Sequence, residues 1–338
     1  MAMRCTAYLG LTVTACLLMS GCGAAKPTAK YRIAVVPKGT SHDFWKSIHA
    51  GALQAARERG DTQILWDGPP KESMRYEQQQ IIERFTSEGV SAIVLAPCDR
   101  KSLVPPVEGA LKKGIPVVII DSGLESSDGI EKSPHYLGYV ATDNRQGGVK
   151  AAERMIELLQ GKEHPRVLMI RYQTGSESTE QREAGFRATI EKMPSIQLIV
   201  PEDEAGATVE SAQQVAERIL SDQKDLDGIF VPNESSTTGV LRALEGLNRA
   251  GQVKLVGFDA NPDLVSALKA GKLHGLVLQD PFDMGYRSVL RSVDHLEGKP
   301  LPKERVVNTN LQVLTKENLE DPAIKPLYAR DLKPLLGE

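Results

Sequence analysis

Short apolar runs alternate with longer amphipathic segments from residue 31 to residue 300. In the first half the runs are continuous and rich in Val and Ile, which is typical of strands buried on both faces of a parallel sheet. The strand candidates are Ile33–Val36, Ile64–Trp66, Ala92–Ala96, Val117–Ile120 and Leu137–Ala141. Helices are predicted between them at Phe44–Arg59, Met74–Glu88 and Pro105–Lys113, each followed by a glycine. The pattern predicts successive strand–helix–strand units.

The second half repeats this plan. Its strand candidates are Val167–Ile170, Ile196–Val200, Gly228–Val231, Leu255–Phe258 and Leu276–Leu278. Its helix candidates are Arg145–Leu159, Thr179–Lys192, Val209–Ser221, Thr237–Ala250, Pro262–Lys269 and Pro281–Leu296. After Pro300, residues Val306–Leu314 alternate like an exposed or edge strand, and a proline-punctuated tail follows. The predicted fold class is α/β, with two similar doubly wound parallel-sheet lobes and a ligand cleft between them.

Residues 1–22 have the pattern of a secretory signal. Arg4 supplies a positive charge, and the apolar run Ala7–Met19 is too short to span a bilayer comfortably. The sequence Leu18-Met19-Ser20-Gly21-Cys22 resembles the lipobox of bacterial lipoproteins, which implies cleavage before Cys22 and acylation of that cysteine. An ordinary signal with a cysteine at this place by chance is the alternative. Residues 23–30 are small and polar and predict a flexible tether.

Charge and cysteine usage limit the classes of partner and the means of stabilisation. The chain has 41 basic and 44 acidic residues, so its formal charge of −3 implies neither nucleic acid nor an acidic membrane surface as a partner. Cys5 and Cys16 lie in the signal and Cys22 in the lipobox, which leaves Cys98 without a partner. We therefore expect no disulfide framework, and an inert, partly buried thiol at Cys98.

Polar residues follow the predicted strands at the edge where a doubly wound sheet binds its ligand. They are Lys38 to Trp45, Pro97-Cys98-Asp99, Asp121-Ser122 and Asp143-Asn144 in the first half, and Asn233-Glu234, Asp259 and Gln279-Asp280 in the second. Carboxylates accept hydrogen bonds from vicinal hydroxyls, and amides both donate and accept. Phe44 and Trp45 add aromatic surface for the CH face of a sugar. The pattern predicts a site for a hydroxyl-rich ligand.

Several spaced motifs at these positions resemble the sugar-binding proteins of bacterial ABC transporters, of the ribose-binding-protein type. They are Ile33–Val36 followed by Asp43-Phe44-Trp45, then Gly147-Gly148, Arg182-Glu-Ala-Gly185-Phe186, Val231-Pro-Asn233-Glu234, Val256-Gly257-Phe258-Asp259 and Gln279-Asp-Pro281. The resemblance covers the chain beyond the tether. It implies a multi-strand hinge, with a first lobe of residues 31–143 plus 281–308 and a second of residues 144–280 plus 309–338.

The resemblance also implies which residues contact the ligand: Phe44, Trp45, Asp121, Arg182, Asn233, Asp259 and Gln279. His42 joins them because it stands where many members have Asn. Asp121-Ser122 departs from the common Asp-Arg pair, so pentose and hexose preferences do not transfer, and a polyol, a modified sugar or another polar metabolite stays open. The implied protein is an extracytoplasmic, lipid-anchored monomer that delivers its ligand to an ABC permease and needs no metal or cofactor.

Each candidate also has a purely structural interpretation. Phe44 and Trp45 fit a core stripe, Arg182 fits a solvated helix charge, and Gln279 fits a hinge strand. Asp121, Asn233 and Asp259 fit turn or helix-cap positions. His42 and His49, seven residues apart, form a weak metal pair because no third ligand lies near them in sequence.

Three other classes of function compete with that of an importer's receptor. A sensor that feeds a chemoreceptor or kinase would use the same fold. An enzyme that uses the cleft is disfavoured because nucleophile-elbow, phosphate-loop, zincin and dinucleotide motifs are absent from the sequence. A transcription factor of the related repressor family is disfavoured because a signal and tether stand where its helix-turn-helix would be.

Overall fold

The first of two sheets is built mainly from the N-terminal half of the chain. The computed structural model describes Met1 and residues 29–337, so the signal, Cys22 and most of the tether lie outside the described residues. The strands are β1 (Tyr31–Val36), β2 (Thr62–Trp66), β3 (Ala92–Leu95), β4 (Val117–Ile120), β5 (Tyr136–Ala141) and β11 (Val306–Asn308). They are all parallel, in the order β11-β5-β4-β3-β1-β2.

The second sheet repeats this order with the remaining strands. They are β6 (Arg166–Met169), β7 (Gln197–Ile199), β8 (Gly228–Phe230), β9 (Lys254–Phe258), β10 (Gly275–Leu278) and β12 (Gln312–Leu314). Their order is β12-β10-β9-β8-β6-β7, and only β12 runs antiparallel. The two doubly wound lobes predicted from the sequence are confirmed.

Helices cover both faces of each sheet. The first lobe carries α1 (Asp43–Arg59), α2 (Arg75–Ser87), α3 (Val104–Lys112), α4 (Asp128–Glu131) and α10 (Pro281–Leu296). The second carries α5 (Asn144–Leu158), α6 (Glu177–Ile190), α7 (Val209–Asp222), α8 (Glu234–Gly246) and α9 (Pro262–Lys269). Two short helices, α11 (Lys325–Tyr328) and α12 (Lys333–Leu336), lie in the tail. None of the helices within residues 29–337 is both long and apolar enough to cross a membrane.

Continuous apolar strands divide their side chains between two cores per lobe. On β1, Ile33 and Val35 enter the core that α1 and α10 cover, whereas Ala34 and Val36 enter the core under α2 and α3. Successive side chains of a strand point to opposite faces, so a strand buried on both faces needs apolar residues at every position. This explains why the strand candidates appear as unbroken runs.

The chain crosses between the lobes three times, after β5, after β10 and after β11. The expectation of one continuous strand at Val306–Leu314 is wrong. Residues 306–308 form β11 on the first sheet, and residues 312–314 form β12 on the second. The alternating pattern was correct for edge positions, but the chain changes sheets between residues 309 and 311.

Two helix crossings depend on glycine in the same way, one in each lobe. A Cβ on Gly51 of α1 would lie 2.0 Å from the carbonyl oxygen of Phe282, and one on Gly285 of α10 would lie 2.1 Å from that of Ile48. In the second lobe, a Cβ on Gly148 of α5 would lie 1.9 Å from a facing carbonyl oxygen, and one on Gly185 of α6 would lie 2.1 Å from another. The two lobes therefore share a close helix crossing at glycine, although the two halves of the sequence show no obvious residue repeat.

Candidate functional site

Two carboxylates occupy matching positions at the carboxyl edges of the two sheets. Asp121 follows β4 and Asp259 follows β9, which are the third strands in their respective orders. Both backbones are in the left-handed region, with φ of 59° and 62°. Non-glycine residues rarely adopt this conformation, and such strain concentrates at functional sites. The sharp turn after each strand brings a carboxylate to the space between the lobes.

A small cavity lies between the lobes where these edges meet. All eight residues predicted from the sequence line it: His42, Phe44, Trp45, Asp121, Arg182, Asn233, Asp259 and Gln279. Five further side chains line it as well: Lys38, Glu72, Ser178, Thr179 and Glu234. Its volume is about 20 Å³, which is room for about one water molecule. The lobes are thus in contact across the cleft.

Lys38 connects the two lobes at the floor of the cavity. Its Nζ lies 2.8 Å from Asp121 Oδ2 and donates to Ser178 Oγ of the second lobe, also at 2.8 Å. The lysine is 3% exposed, so this ion pair is shielded from water. Ser122 leaves the first lobe without the expected arginine, and the Lys38 ammonium supplies a cation beside Asp121 instead.

Glu72 is the centre of a second buried network and was not predicted. Its Oε1 accepts from Trp45 Nε1 and lies 2.9 Å from His42 Nδ1, while its Oε2 accepts from Tyr172 of the second lobe at 2.8 Å. Burial opposes charge on both partners, but their hydrogen bond and mutual attraction outweigh it. The pKa of His42 is raised to about 9 and that of Glu72 is lowered to about 2. At neutral pH they form an ion pair.

Asp259 and Glu234 accept hydrogen bonds from amide groups, whereas Glu72 and Asp121 have ion-pair partners. Gln279 Nε2 donates to Asp259 Oδ1 at 2.7 Å, and Glu234 accepts from the Phe44 backbone N–H at 3.2 Å and from Asn261 Nδ2 at 3.1 Å. These donors are neutral. Burial is the main cause that raises the pKa of Asp259 to about 6 and that of Glu234 to about 7, although Arg182 attracts the first charge and His42 the second. The charge of Asp259 adds to the rise in the pKa of Glu234.

The Arg182 guanidinium is held by two hydrogen bonds and a ring contact, and one of its nitrogens has no hydrogen-bond partner among the described residues. Its Nε donates to Asn144 Oδ1, its Nη1 donates to the Pro232 carbonyl, and its guanidinium carbon lies 4.2 Å from the centroid of the Phe258 ring. Nη2 is buried without a hydrogen-bond partner among the described residues, because Asp121 Oδ1 is 3.9 Å away. The interpretation of Arg182 as a solvated surface charge is wrong, since the residue is 2% exposed.

Some residues that line the cavity also have the structural roles that their sequence positions predict. Phe44 and Trp45 pack in the core beneath α1, edge to face at 4.9 Å, and also line the cavity. Asn233 caps α8 by accepting from the Ser236 backbone N–H. Asp259 is not the cap of α9, because Asn261 performs that role. The Oε1 of Gln279 is buried without a partner among residues 29–337.

Other reactive side chains of the sequence lie away from the cavity. His49 stacks on Trp66 at 4.4 Å, and within residues 29–337 no group of three or more His, Cys, Asp or Glu side chains is placed to hold a metal ion. Cys98 belongs to the core under α2 and α3 rather than to the cavity lining. Burial raises the pKa of its thiol to about 12, so the thiol is unreactive at neutral pH.

A polar residue that directly follows a buried strand lies at the carboxyl edge of its sheet, and this explains which lining residues the sequence could reveal. Lys38 and Glu234 follow β1 and β8 closely, so they were available among the polar residues at strand ends. Glu72 lies six residues beyond the end of β2, and Ser178 and Thr179 lie in the first turn of α6. Nothing in the local pattern of these three residues distinguishes them from surface polar residues.

Comparison with known proteins agrees with this geometry. The family model described as a periplasmic binding protein domain matches residues 33–300. The chain belongs to this family. It is 28% identical to the D-ribose/D-allose-binding protein of Pseudomonas aeruginosa over 315 residues, which cover 92% of this chain and 97% of that protein. It is also 28% identical to the D-allose-binding periplasmic protein of Escherichia coli, with 88% and 94% covered.

A solved structure is similar over the same region. It is an ABC transporter solute-binding protein from Agrobacterium vitis with bound D-fucose, 32% identical, with a TM-score of 0.82 and coverage of 88% of this chain and 99% of that one. The periplasmic binding proteins that this chain matches are solute-binding proteins, and the chain is accordingly a binding protein rather than an enzyme. The family implies a location outside the cytoplasm.

Proposed function

We propose that this protein captures a sugar or a sugar-like polar metabolite by closure of its two lobes and delivers it to an ABC importer. The carrying observation is the convergence of side chains from both lobes on one buried polar cavity. Arg182 Nη2 and Gln279 Oε1 are buried there with no hydrogen-bond partner in the described part of the chain, one a donor and one an acceptor. A hydroxyl group can satisfy either atom.

The placement of these groups supports closure. The ligand would contact Asp121 and Trp45 on one lobe and Arg182 and Asn233 on the other. It can touch both sets only when the lobes approach, so binding shifts the open–closed equilibrium toward the closed state. The present cavity of about 20 Å³ is smaller than a sugar ring, so the ligand must enter an open form and hold the lobes further apart than they stand here.

Calorimetry on the purified protein tests this function. The probes are D-ribose, D-allose, D-fucose and xylitol, together with amino and acidic sugars. A micromolar dissociation constant, about −8 kcal/mol, is expected for at least one probe. Arg182→Lys should weaken binding of that probe by roughly tenfold or more, because the planar guanidinium is lost. Arg218→Lys, an exposed arginine paired with Asp203, is the control. Failure of every probe, with the protein folded, would contradict the proposal.

Attachment to the membrane is a separate part of the proposal. We propose that Cys22 is acylated and holds the protein on the outer side of a membrane, near the permease. Cys22→Ser should move the protein from the membrane pellet to the soluble fraction, whereas Cys98→Ser should not. A Cys22→Ser protein that stays in the pellet would rule out the lipid anchor.

A further inference from the structure

The cavity contains more carboxylates than cationic side chains. The cations are Lys38, His42 and Arg182, and the carboxylates are Glu72, Asp121, Glu234 and Asp259. Lys38 is paired with Asp121 at 2.8 Å, and His42 with Glu72 at 2.9 Å. Arg182 also approaches Asp121, at 3.9 Å. The ion pairs within 4.0 Å that these cations form in the cavity therefore involve only two of the four carboxylates.

Glu234 and Asp259 are the two that remain. Neither forms an ion pair within 4.0 Å with a cationic side chain of residues 29–337. Both are 7% exposed, and their hydrogen-bond donors are a backbone amide and side-chain amides. The charge of Asp259 raises the pKa of Glu234, so the two carboxylates interact. A buried carboxylate without a counter-charge is strongly unfavourable, and so is a pair of them.

Two side-chain atoms without hydrogen-bond partners among residues 29–337 belong to residues that line the same cavity as these carboxylates. Gln279 holds Asp259 with its amide nitrogen, and its Oε1 is left without a donor in the described part of the chain. Arg182 Nη2 has no acceptor among residues 29–337. The missing group must therefore donate near Asp259 and Gln279 and accept near Arg182. A metal ion does not fit this requirement, because an ion only accepts electron pairs and no cluster of metal ligands is present in residues 29–337.

We propose that the ligand carries a protonated amine that pairs with Glu234 and Asp259, so that it is an amino sugar or amino polyol rather than a neutral sugar. This inference rests on the proposed function. A compact ammonium group has three donors, enough for both carboxylates and Gln279 Oε1. The hydroxyls of the same ligand accept from Arg182 Nη2. When all four carboxylates and all three cations are charged, the ligand's single positive charge brings the total charge of the cavity from −1 to zero.

Calorimetry with matched triads of probes tests the amine. Each triad shares a skeleton and carries an amine, a hydroxyl or a carboxylate: glucosamine, glucose and glucuronate; galactosamine, galactose and galacturonate; glucamine, glucitol and gluconate. We expect the amine to bind roughly tenfold or more tightly than its neutral partner in at least one triad, with the carboxylate weakest. A neutral member that binds as tightly as its amine in every triad, or amines that all fail to bind, would overturn the inference.

A variant that replaces a carboxylate by a neutral amide tests the contribution of the ligand's amine separately from the other contacts of the site. Glu234→Gln should abolish the preference of the amine over the neutral probe, while Glu245→Gln should retain it. Glu245 lies on the same helix α8 but is exposed and paired with Lys272. Asp259→Asn provides the same readout should Glu234→Gln unfold. An unchanged preference in folded variants contradicts the inference. If neutral sugars bind but amines do not, the proposed function stands without it, whereas no binding by any sugar removes both.

Discussion

At the scale of single residues, the protonation of buried carboxylates controls the energy of the ligand-free site. The pKa of Asp259 is raised from 3.8 to about 6, so the folded protein holds a proton that the unfolded chain has already released. The stabilisation from this proton is complete below about pH 4 and is lost as the pH rises through 6. An ionised Asp259 is therefore a cost of the closed, empty site at neutral pH.

Asp259→Asn should accordingly stabilise the ligand-free protein at high pH only. Between pH 5 and pH 8 the free energy of unfolding of the variant should rise relative to the wild type by on the order of 1–3 kcal/mol. Denaturant unfolding at the two pH values measures the difference. Asp263→Asn, an exposed carboxylate on α9, is the matched control and should show little change. Parallel behaviour of Asp259→Asn and wild type would contradict the assigned burial effect.

The buried pair of Lys38 and Asp121 gives a second prediction at this scale. Lys38→Met removes the ammonium and leaves the Asp121 carboxylate buried with only the distant Arg182. Breaking such a pair costs about 3–5 kcal/mol. Adding Asp121→Asn to Lys38→Met should recover part of this loss, and chemical unfolding measures both variants. A double variant no more stable than the single one would show that the two charges are not coupled.

At the scale of elements, the close helix crossings at glycine determine where the helices that carry cavity residues lie. Gly148 of α5 faces the carbonyl oxygen of Arg182 itself, so the contact between α5 and α6 determines the position of Arg182 in the cavity lining. Asn144 at the start of α5 accepts from Arg182 Nε and donates to the Asp121 carbonyl of the other lobe. Packing of two helices thus positions a guanidinium relative to both lobes.

Gly148→Ala should therefore damage both stability and binding. Its Cβ would lie 1.9 Å from a backbone oxygen, which cannot rotate away, so we expect a loss of about 1–3 kcal/mol and weaker ligand binding as α6 shifts. Gly109→Ala in α3 meets no atom within 4 Å and should be neutral or stabilising by about 0.5–1 kcal/mol. Thermal unfolding and calorimetry compare the two. Equal effects of both substitutions would contradict the proposed role of the crossing.

At the scale of the whole molecule, the C-terminal tail joins the lobes outside the cleft. Leu319 and Ile324 are buried in the core of the second lobe. Further on, the Pro334 and Leu335 carbonyls accept from Arg57 of α1 on the first lobe, at 2.9 and 2.8 Å. The guanidinium of Arg330 lies 3.9 Å from the Phe282 ring centroid. The tail therefore adds contacts that the closed arrangement satisfies on both lobes.

Arg57→Ala should release α12 and weaken these contacts. Trypsin should then cleave after Arg330 several-fold faster than in the wild type, and ligand affinity should fall because the closed state loses support. Arg242→Ala, an exposed arginine 3.9 Å from Glu210, is the control. Cleavage rates that match the wild type would indicate that the tail is held without Arg57.

The sequence by itself determined both sheets, most helices and the eight predicted lining residues. Apolar runs define buried parallel strands, and a polar residue directly after such a strand must lie at the carboxyl edge of its sheet. The lining positions of His42, Asp121 and Asp259 followed from that rule and from the resemblance. Only the tertiary structure revealed Glu72 and the Lys38–Ser178 contact, and only it showed that Val306–Leu314 forms two separate strands. These depend on which distant residues meet when the lobes close, and no local pattern of hydrophobicity encodes that meeting.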